Sequence, residues 1–237
     1  MPWDESHTTW TGGQYERPLS PEDLAALEWM SEKHDPKYPE LDTPNDHHRH
    51  TSHLFAVFPG QQISVEKTPD LAKAAKVSLD ARSDTGDVRE WSFAWRTALY
   101  AHLRDGEAAH RELQQLFSDR NTCLNLFGLH PPMQMDGNFG ITAAICEMLL
   151  QSDEDEINLL PALPKAWPDG SVKGLRARGN YTVDIEWKNG NLVAAAIHSP
   201  RGTPCHLRYG SATLTIPKAR ETELIQWDGK AFSLRAN

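Results

Sequence analysis

Two polar segments of the sequence contain the residues most suited to chemistry. The first, Asp46–His53, reads DHHRHTSH and holds four of the eleven histidines. Imidazole and guanidinium groups make directional hydrogen bonds, so we interpret this segment as one side of a cleft that binds a polar substrate. The apolar run Leu54–Phe58 follows at once and should anchor the segment on a core.

Two other interpretations of this histidine segment stay open. His47, His50 and His53 recur every third residue, and neutral imidazole is a common zinc ligand. However, the sequence has no HExxH pattern and no cysteine or paired carboxylate at ligand spacing, so we assign no metal to it. The segment could also be a solvated polar loop that caps the residues after it.

The second polar segment, His130–Gly140, reads HPPMQMDGNFG. Asp136 stands two residues before a helix-like stretch, where a carboxylate can simply act as the N-cap and accept an amide of the first turn. Two prolines stiffen the approach, however, and Gly137 and Gly140 let the backbone come close to another group. A fixed carboxylate facing a pocket would also serve proton transfer. The residue types alone leave both roles open.

Composition excludes several classes of protein. The chain has 237 residues, a formal net charge of -9 and no run of about 20 apolar residues, so we expect neither nucleic acid nor a membrane as partner. Its three cysteines are widely spaced, which predicts packing residues rather than disulfides or a redox motif. No cofactor is expected. The first residues do not resemble a signal peptide, so the chain stays inside the cell or follows an upstream leader, and its localisation is unassigned.

The hydrophobic period is helical as far as about Gln151. Ser20–Asp23 and Thr68–Asp70 each supply an N-cap residue, a proline at the first helical position and an acid in the first turn. The last helix is predicted from about Asn138 to Leu150. Five apolar stripes predict helices: Leu24, Leu27 and Met30; Leu71, Ala75 and Leu79; Trp91, Trp95, Leu99 and Leu103; Leu113, Leu116 and Phe117; Ile141, Ile145, Met148 and Leu149.

The rest of the chain has the period of β-strands. Residues 181–187 alternate apolar and polar side chains, as a half-buried strand does. Asn189-Gly190 suits a type I′ turn, and residues 192–197 read as the returning strand. Asp228-Gly229 offers a second hairpin turn.

The change of period is a candidate domain boundary. The acidic run Asp153–Glu156 separates the two parts. We therefore predict a mainly α plus β protein, with a helical domain at residues 1–155 and an antiparallel β domain at residues 156–237.

Several motifs, in order along the chain, resemble glycoside hydrolase family 95. The resemblance extends from His47 to about Ser199. The motifs are HRHTSHL at 48–54, FPG at 58–60, EWSFAW at 90–95, NLF at 125–127, HPP at 130–132, DGNFG at 136–140, LLPALPKAWP at 159–168 and VKGLRARG at 172–179.

This resemblance implies an α-L-fucosidase-like enzyme, a class in which some relatives prefer α-L-galactosides. Its catalytic domain is an (α/α)6 toroid flanked by β domains, so the helical part would be the C-terminal part of the toroid and the β part a sandwich-like domain. The implied partner is an oligosaccharide with a terminal α-L-fucose or α-L-galactose, hydrolysed with inversion. The family uses a Glu general acid and an Asn that activates water with the help of an Asp, and Asp136 matches that Asp.

The resemblance also implies sugar contacts. His130 in the HPP motif and His50 in the HRH motif resemble sugar-contacting residues of the family, and we add His48 and Asn138 as substrate-binding candidates. Inversion needs roughly 6.5–9.5 Å between the acid and base sides to admit water. Because an amide alone is a weak base, a carboxylate such as Asp136 must accept its proton or hold its reactive form.

The chain departs from the family pattern at its beginning. The N-terminal β domain, the water-activating Asn pair and the general-acid Glu all belong upstream of residue 1, so we expect a C-terminal portion. Ser20-Pro21-Glu22 superficially resembles the sequence around the family's acid, but it lies too close to the histidine segment and its capping role accounts for it. About half of a toroid would expose an apolar inner face and should aggregate, self-associate or need a complementing chain.

Three functional hypotheses remain. The first is a portion of an inverting α-L-fucosidase-like hydrolase that contributes Asp136 and needs the rest of the enzyme for turnover. The second is a non-catalytic carbohydrate-binding fragment that keeps sugar contacts through His50, His130 and tryptophans. The third is a metal-dependent hydrolase built on the histidine segment, which predicts stoichiometric metal.

Overall fold

The structure, a computed structural model, describes most of the chain after residue 47. The described ranges are 48–82, 88–130, 133–153, 156–199, 202–219 and 221–235. The helix predicted from Ser20, which includes Glu22, lies outside them. Contacts divide the chain into two compact units, Met1–Asp84 and Thr85–Asn237.

The first unit has one α-helix among its described residues. This helix, α1, spans Pro69–Asp80 and follows a short 3-10 helix at Ser52–Leu54. α1 begins as predicted, with Thr68 as the N-cap and a proline at the first position. The Thr68 hydroxyl does not cap the helix, because it binds the backbone of Ser64 instead, accepting at 2.9 Å and donating at 3.2 Å. Leu71 of the predicted stripe is only partly buried. The side chains that α1 buries are Ala72, Ala75 and Leu79.

The described helices of the second unit pack around one central helix. They are α2, Glu90–His102; α3, Gly106–Leu116; and α4, Met135–Leu149. α2 packs against both α3 and α4. Every residue from Ser92 to Ala101 is buried. Because α2 is buried on all sides, it is a core element, and the helices beside it are held on a rigid support.

Two details of the predicted helices are wrong. Phe117, predicted in the core stripe of α3, is 48% exposed because the helix ends at Leu116 and Phe117 is its C-cap. α4 begins at Met135, ahead of the predicted start, so Asp136 lies inside the first turn. Asp136 is therefore not the N-cap; Gln134 occupies that position and makes no side-chain cap bond.

The chain after α4 forms β-strands. None of the described helices has the length and apolar character needed to cross a bilayer. The described strands are β1 Leu150–Ser152, β2 Ile157–Leu159, β3 Gly170–Ala177, β4 Tyr181–Lys188, β5 Asn191–His198, β6 Cys205–Tyr209, β7 Ala212–Ile216, β8 Thr222–Trp227 and β9 Phe232–Arg235. With the helices they make an α plus β protein.

These described strands form two sheets, with the orders β1-β2-β6-β7 and β3-β4-β5-β8-β9. Both predicted hairpins are confirmed. Asn189 and Gly190 join β4 to β5 with φ angles of 51° and 72°, and Asp228-Gly229 joins β8 to β9. The prediction of a wholly antiparallel β part is wrong for one pair, because β2 and β6 run parallel. Three strands of the other sheet separate this pair along the chain, and such a long crossover permits parallel pairing.

Both sheets contribute side chains to one hydrophobic cluster. Ile157 and Leu207 come from the four-stranded sheet, and Val183 and Ile197 from the five-stranded sheet. The segment at 161–168 then connects this β part to the helices. Its Trp167 carbonyl accepts the Trp187 indole N–H at 2.9 Å, and its Lys165 amide donates to Glu107 of α3 at 2.7 Å.

Candidate active site

The first turn of α4 lies close to α2 because two glycines face that helix. A Cβ atom on Gly137 would lie 1.9 Å from Glu90 Cγ, and one on Gly140 would lie 2.7 Å from Trp91 Cζ3. The expectation that these glycines admit a close neighbour is therefore confirmed, and the neighbour is α2. This packing also explains why the run DGNFG is helical although Asp, Gly and Asn have low intrinsic helix propensity.

Asp136 presents a carboxylate from this turn. Its side chain is exposed, and Oδ1 accepts the amide of Gly137 at 3.0 Å. The positive end of the α4 dipole stabilises a negative charge at this position. The turn therefore supplies an accessible carboxylate on a backbone that is packed against the core helix.

Asn138 joins α4 to the loop that follows α3. Its Nδ2 donates to the carbonyl of Leu126 at 2.7 Å, and its Oδ1 accepts the amide of Gly128 at 3.2 Å. Both ends of the amide are thus used to order the loop that continues to His130. The predicted contact between Asn138 and substrate stays a prediction.

His130 is the third predicted site residue in the second unit. Its ring is half-buried, and Nδ1 is buried with no hydrogen-bond partner among the described residues. The imidazole is close enough to Glu90 to affect the ionisation of that carboxyl. His130 and Asp136 therefore act on one common neighbour.

That neighbour, Glu90, has no predicted role in the sequence analysis. Its side chain is 1% exposed, and neither carboxyl oxygen has a hydrogen bond of ordinary geometry within the described ranges. A Cβ on Gly128 would lie 1.9 Å from Glu90 Cδ, so the carboxyl fills the space between the loop and α4. In a sequence, an acid at the start of a helix is usually interpreted as an exposed residue that interacts with the helix dipole. The burial of Glu90 depends instead on Gly128 and Gly137, which are distant along the chain.

The surroundings of Glu90 favour its protonated form. Burial raises the pKa of this carboxyl above its usual 4.5, and the charge of Asp136 raises it further. The backbone amides of Gln134 and Asn138 and the imidazole of His130 act in the opposite direction. Glu90 is therefore a buried carboxyl whose charge depends on the two predicted site residues.

The other predicted contacts, His48 and His50, lie in the first unit. The His50 amide donates to His48 Nδ1 at 3.2 Å, and the two ring centroids are 5.4 Å apart. His48 is exposed and His50 is partly buried. His53 Nε2 is 2.9 Å from Ser78 Oγ, which ties the segment to α1, and Leu54 is buried as the anchor prediction requires. The roles of His48 and His50 in sugar binding stay predictions.

The metal hypothesis requires several ligand side chains at one point. Within the part of the chain that the structure describes, no group of three or more His, Cys, Asp or Glu side chains is placed to hold a metal ion. His47, one of the three histidines of that hypothesis, lies outside these residues.

A separate open groove of about 680 Å³ crosses the five-stranded sheet. Charged side chains of both signs line it, namely Lys173 of β3 and Asp184, Glu186 and Lys188 of β4. None of the predicted site residues lines this groove, so it is distinct from the turn that carries Asp136.

Comparison with protein families gives two matches that together cover most of the chain. Residues 22–149 match the glycosyl hydrolase family 95 catalytic domain. Residues 151–236 match the glycoside hydrolase family 95 C-terminal domain.

Three relatives are similar to this chain. It is 46% identical over 171 residues to alpha-L-fucosidase 2 of Arabidopsis thaliana, covering 68% of this chain and 20% of that protein. It is 34% identical over 203 residues to the probable alpha-fucosidase A of Aspergillus oryzae, covering 75% of this chain and 27% of that protein. It is 33% identical over 176 residues to the probable alpha-fucosidase A of Aspergillus niger, covering 65% of this chain and 22% of that protein.

The matched region thus spans about a fifth to a quarter of the length of these relatives. The match to the catalytic-domain family, residues 22–149, covers more than half of the 237-residue chain. The arrangement around Asp136 lies within that match, as do the motifs that carry the resemblance up to residue 140. This protein belongs to glycoside hydrolase family 95.

Proposed function

We propose that this chain forms part of an inverting glycosidase that removes terminal α-L-fucosyl residues from oligosaccharides, with α-L-galactosyl residues as the second substrate class. The observation that carries the proposal is the carboxylate of Asp136, accessible and held in the first turn of α4. Membership of family 95 and the relatives named as fucosidases support this assignment.

Asp136 is proposed to assist the group that activates water. Its Oδ1 is held by the Gly137 amide, while Oδ2 makes no hydrogen bond to another described residue and can accept a proton. An amide alone is a weak base for the water that it binds. As the family resemblance implies, a neighbouring carboxylate must accept the proton of the amide or hold its reactive form, and Asp136 is proposed to do so.

Sugar hydroxyls are proposed to bind the histidines. His130 is partly exposed and lies beside Glu90, and because Nδ1 is itself buried, the contact with a sugar hydroxyl is proposed through Nε2. His50 and His48 are proposed to contact the sugar from the histidine segment. Asn138 contributes chiefly through the loop that it anchors, which leads to His130.

The proposed architecture is the C-terminal part of an (α/α)6 toroid at residues 1–155 and a β-sandwich-like domain at residues 156–237. The helix α2, buried along most of its length, supports the first, and the hydrophobic cluster shared by the two sheets supports the second. The family's general-acid Glu and water-activating Asn are proposed to come from outside the matched motifs. Turnover would then require a complementing chain or segment.

The test is release of fucose from an aryl α-L-fucoside, with an aryl α-L-galactoside in parallel. We expect Asp136→Asn to lower the rate by about 10²–10⁴-fold, the usual contribution of a general base, and to leave the circular dichroism spectrum unchanged. The matched control is Asp119→Asn, since Asp119 is an exposed acid in the loop after α3 and should not affect the rate. A fully active Asp136→Asn enzyme would refute the assignment.

The same assay separates the alternatives. The chain is measured alone and together with the upstream part of a family 95 relative, and the first anomer released is identified by NMR. Inversion predicts the β anomer of L-fucose first. Binding of L-fucose in calorimetry without hydrolysis in either setting would instead support a non-catalytic carbohydrate-binding fragment.

A further inference from the structure

We propose that Glu90 is a positioning residue of this site, a buried wedge that holds the Asp136 turn of α4 and the His130 loop in one arrangement and sets the charge beside them. The inference rests on the proposed role of Asp136 as the catalytic carboxylate. Glu90 itself is too deeply buried to touch substrate.

The first argument is steric. Glu90 lies between Gly128 of the loop and Gly137 of α4, and a Cβ at either position would come within 1.9 Å of its side chain. Neither glycine is among the described residues with positive φ, so their backbone conformations do not require glycine. The two glycines therefore supply space, and the side chain of Glu90 fills it.

The second argument is energetic. A buried carboxyl that is incompletely hydrogen-bonded is costly, whereas an apolar side chain of similar volume would fill the same space without desolvating a charged group. Neither oxygen of Glu90 makes a hydrogen bond of full geometry within the described ranges, and the backbone amides of Gln134 and Asn138 offset its burial only in part. An acid at such a position is a candidate for a role in the neighbouring site rather than in stability.

The third argument is electrostatic and concerns the described groups that act on Glu90. Asp136 and two backbone amides act on it from α4, and His130 acts on it from the loop. When Glu90 ionises, a negative charge appears in the buried space between the Asp136 turn and the His130 loop, and it acts electrostatically on both.

The decisive experiment needs no turnover. The chain is labelled with carboxyl-¹³C glutamate, the Glu90 signal is assigned by its loss in Glu90→Gln, and its titration midpoint is measured. We expect Asp136→Asn to lower this midpoint, since it removes a repelling charge, and the control Asp119→Asn to leave it unchanged. Equal midpoints in wild type and Asp136→Asn would overturn the proposal.

Activity of the complemented enzyme supplies the second readout. Glu90→Gln keeps the wedge and should keep most of the rate, but the pH profile of kcat/KM should lose one ionisation. Glu90→Ala removes the wedge as well and should lower kcat/KM by about 10²-fold, the effect of misplacing a catalytic group by about 1 Å. Glu112→Gln, at a buried acid of α3, is the matched control and should behave as wild type.

These outcomes keep the two proposals separate. An inactive enzyme in which Asp136→Asn still moves the Glu90 midpoint would contradict the proposed function and leave the coupling intact. An active enzyme with a wild-type pH profile and rate in both Glu90 variants would overturn the positioning role alone.

Discussion

Replacing Gly137 by alanine tests how tightly Glu90 is held between α2 and α4. The added Cβ would lie 1.9 Å from Glu90 Cγ and 2.6 Å from Oε1. Real atoms do not approach so closely, so either the Glu90 side chain or the first turn of α4 must move. The same substitution should be harmless once Glu90 is shortened to alanine, because the obstructing atoms are then absent.

Two opposing contributions determine the magnitude. Alanine is favoured over glycine in a helix by about 1 kcal/mol, which alone would stabilise α4. Overfilling a packed site costs about 1–3 kcal/mol, and the short distances place Gly137→Ala toward the upper part of that range. We expect it to lower the free energy of unfolding by about 1–2 kcal/mol in the presence of Glu90. In the Glu90→Ala background, Gly137→Ala should instead raise the free energy of unfolding by up to about 1 kcal/mol.

Urea unfolding of the four proteins in this double-mutant cycle, followed by circular dichroism at constant pH, measures the coupling. Gly140→Ala is the matched control, because its Cβ would meet the ring of Trp91 and its cost should not depend on Glu90. If Gly137→Ala has the same effect in both backgrounds to within about 0.5 kcal/mol, the two sites are independent and the steric argument is refuted.

Three further predictions concern pH, the loop and the cysteines. The pKa of Glu90 in the folded protein is raised above 4.5, so the stability that Glu90 confers relative to Glu90→Gln is fully present below pH 4.5. It is lost as the pH rises through the folded pKa. A difference in unfolding free energy between the two proteins that stays constant across this pH range would contradict the prediction. Asn138→Ala removes the hydrogen bonds to the loop at 126–128, so it should lower the free energy of unfolding by about 1–3 kcal/mol and speed proteolysis of that loop. An unchanged rate of cleavage would argue against the anchoring role. Burial raises the pKa of Cys205 to about 11, so at pH 8 it should be alkylated far more slowly than the partly exposed Cys123, as peptide mapping would show.

Most elements could be predicted from short-range signals. Thr68-Pro69-Asp70 predicted the start of α1, and Asn189-Gly190 and Asp228-Gly229 predicted two hairpins that the structure contains. The alternation in residues 181–187 predicted the buried face of β4. Capping, turn chemistry and periodicity depend on neighbours within a few residues, so a sequence displays them directly.

Other features depend on residues that are distant along the chain. The start of α4 was placed too late, because contact with α2 makes residues of low helix propensity helical. The parallel pairing of β2 with β6 depends on a connection through the other sheet. Neither contact leaves a periodic signal in the sequence.

The sequence by itself determined the family motifs, the change from helices to strands along the chain, and the choice of Asp136 and His130 as candidates, because these follow from residue types and local spacing. Only the tertiary structure decided that Asp136 lies within α4, that Asn138 anchors a loop, and that Glu90 is buried beside them. Burial and electrostatic environment are set by groups that folding brings together from tens of residues away. That is why Glu90, an ordinary acid at the start of a helix in the sequence, acquires its importance only from the glycines packed against it.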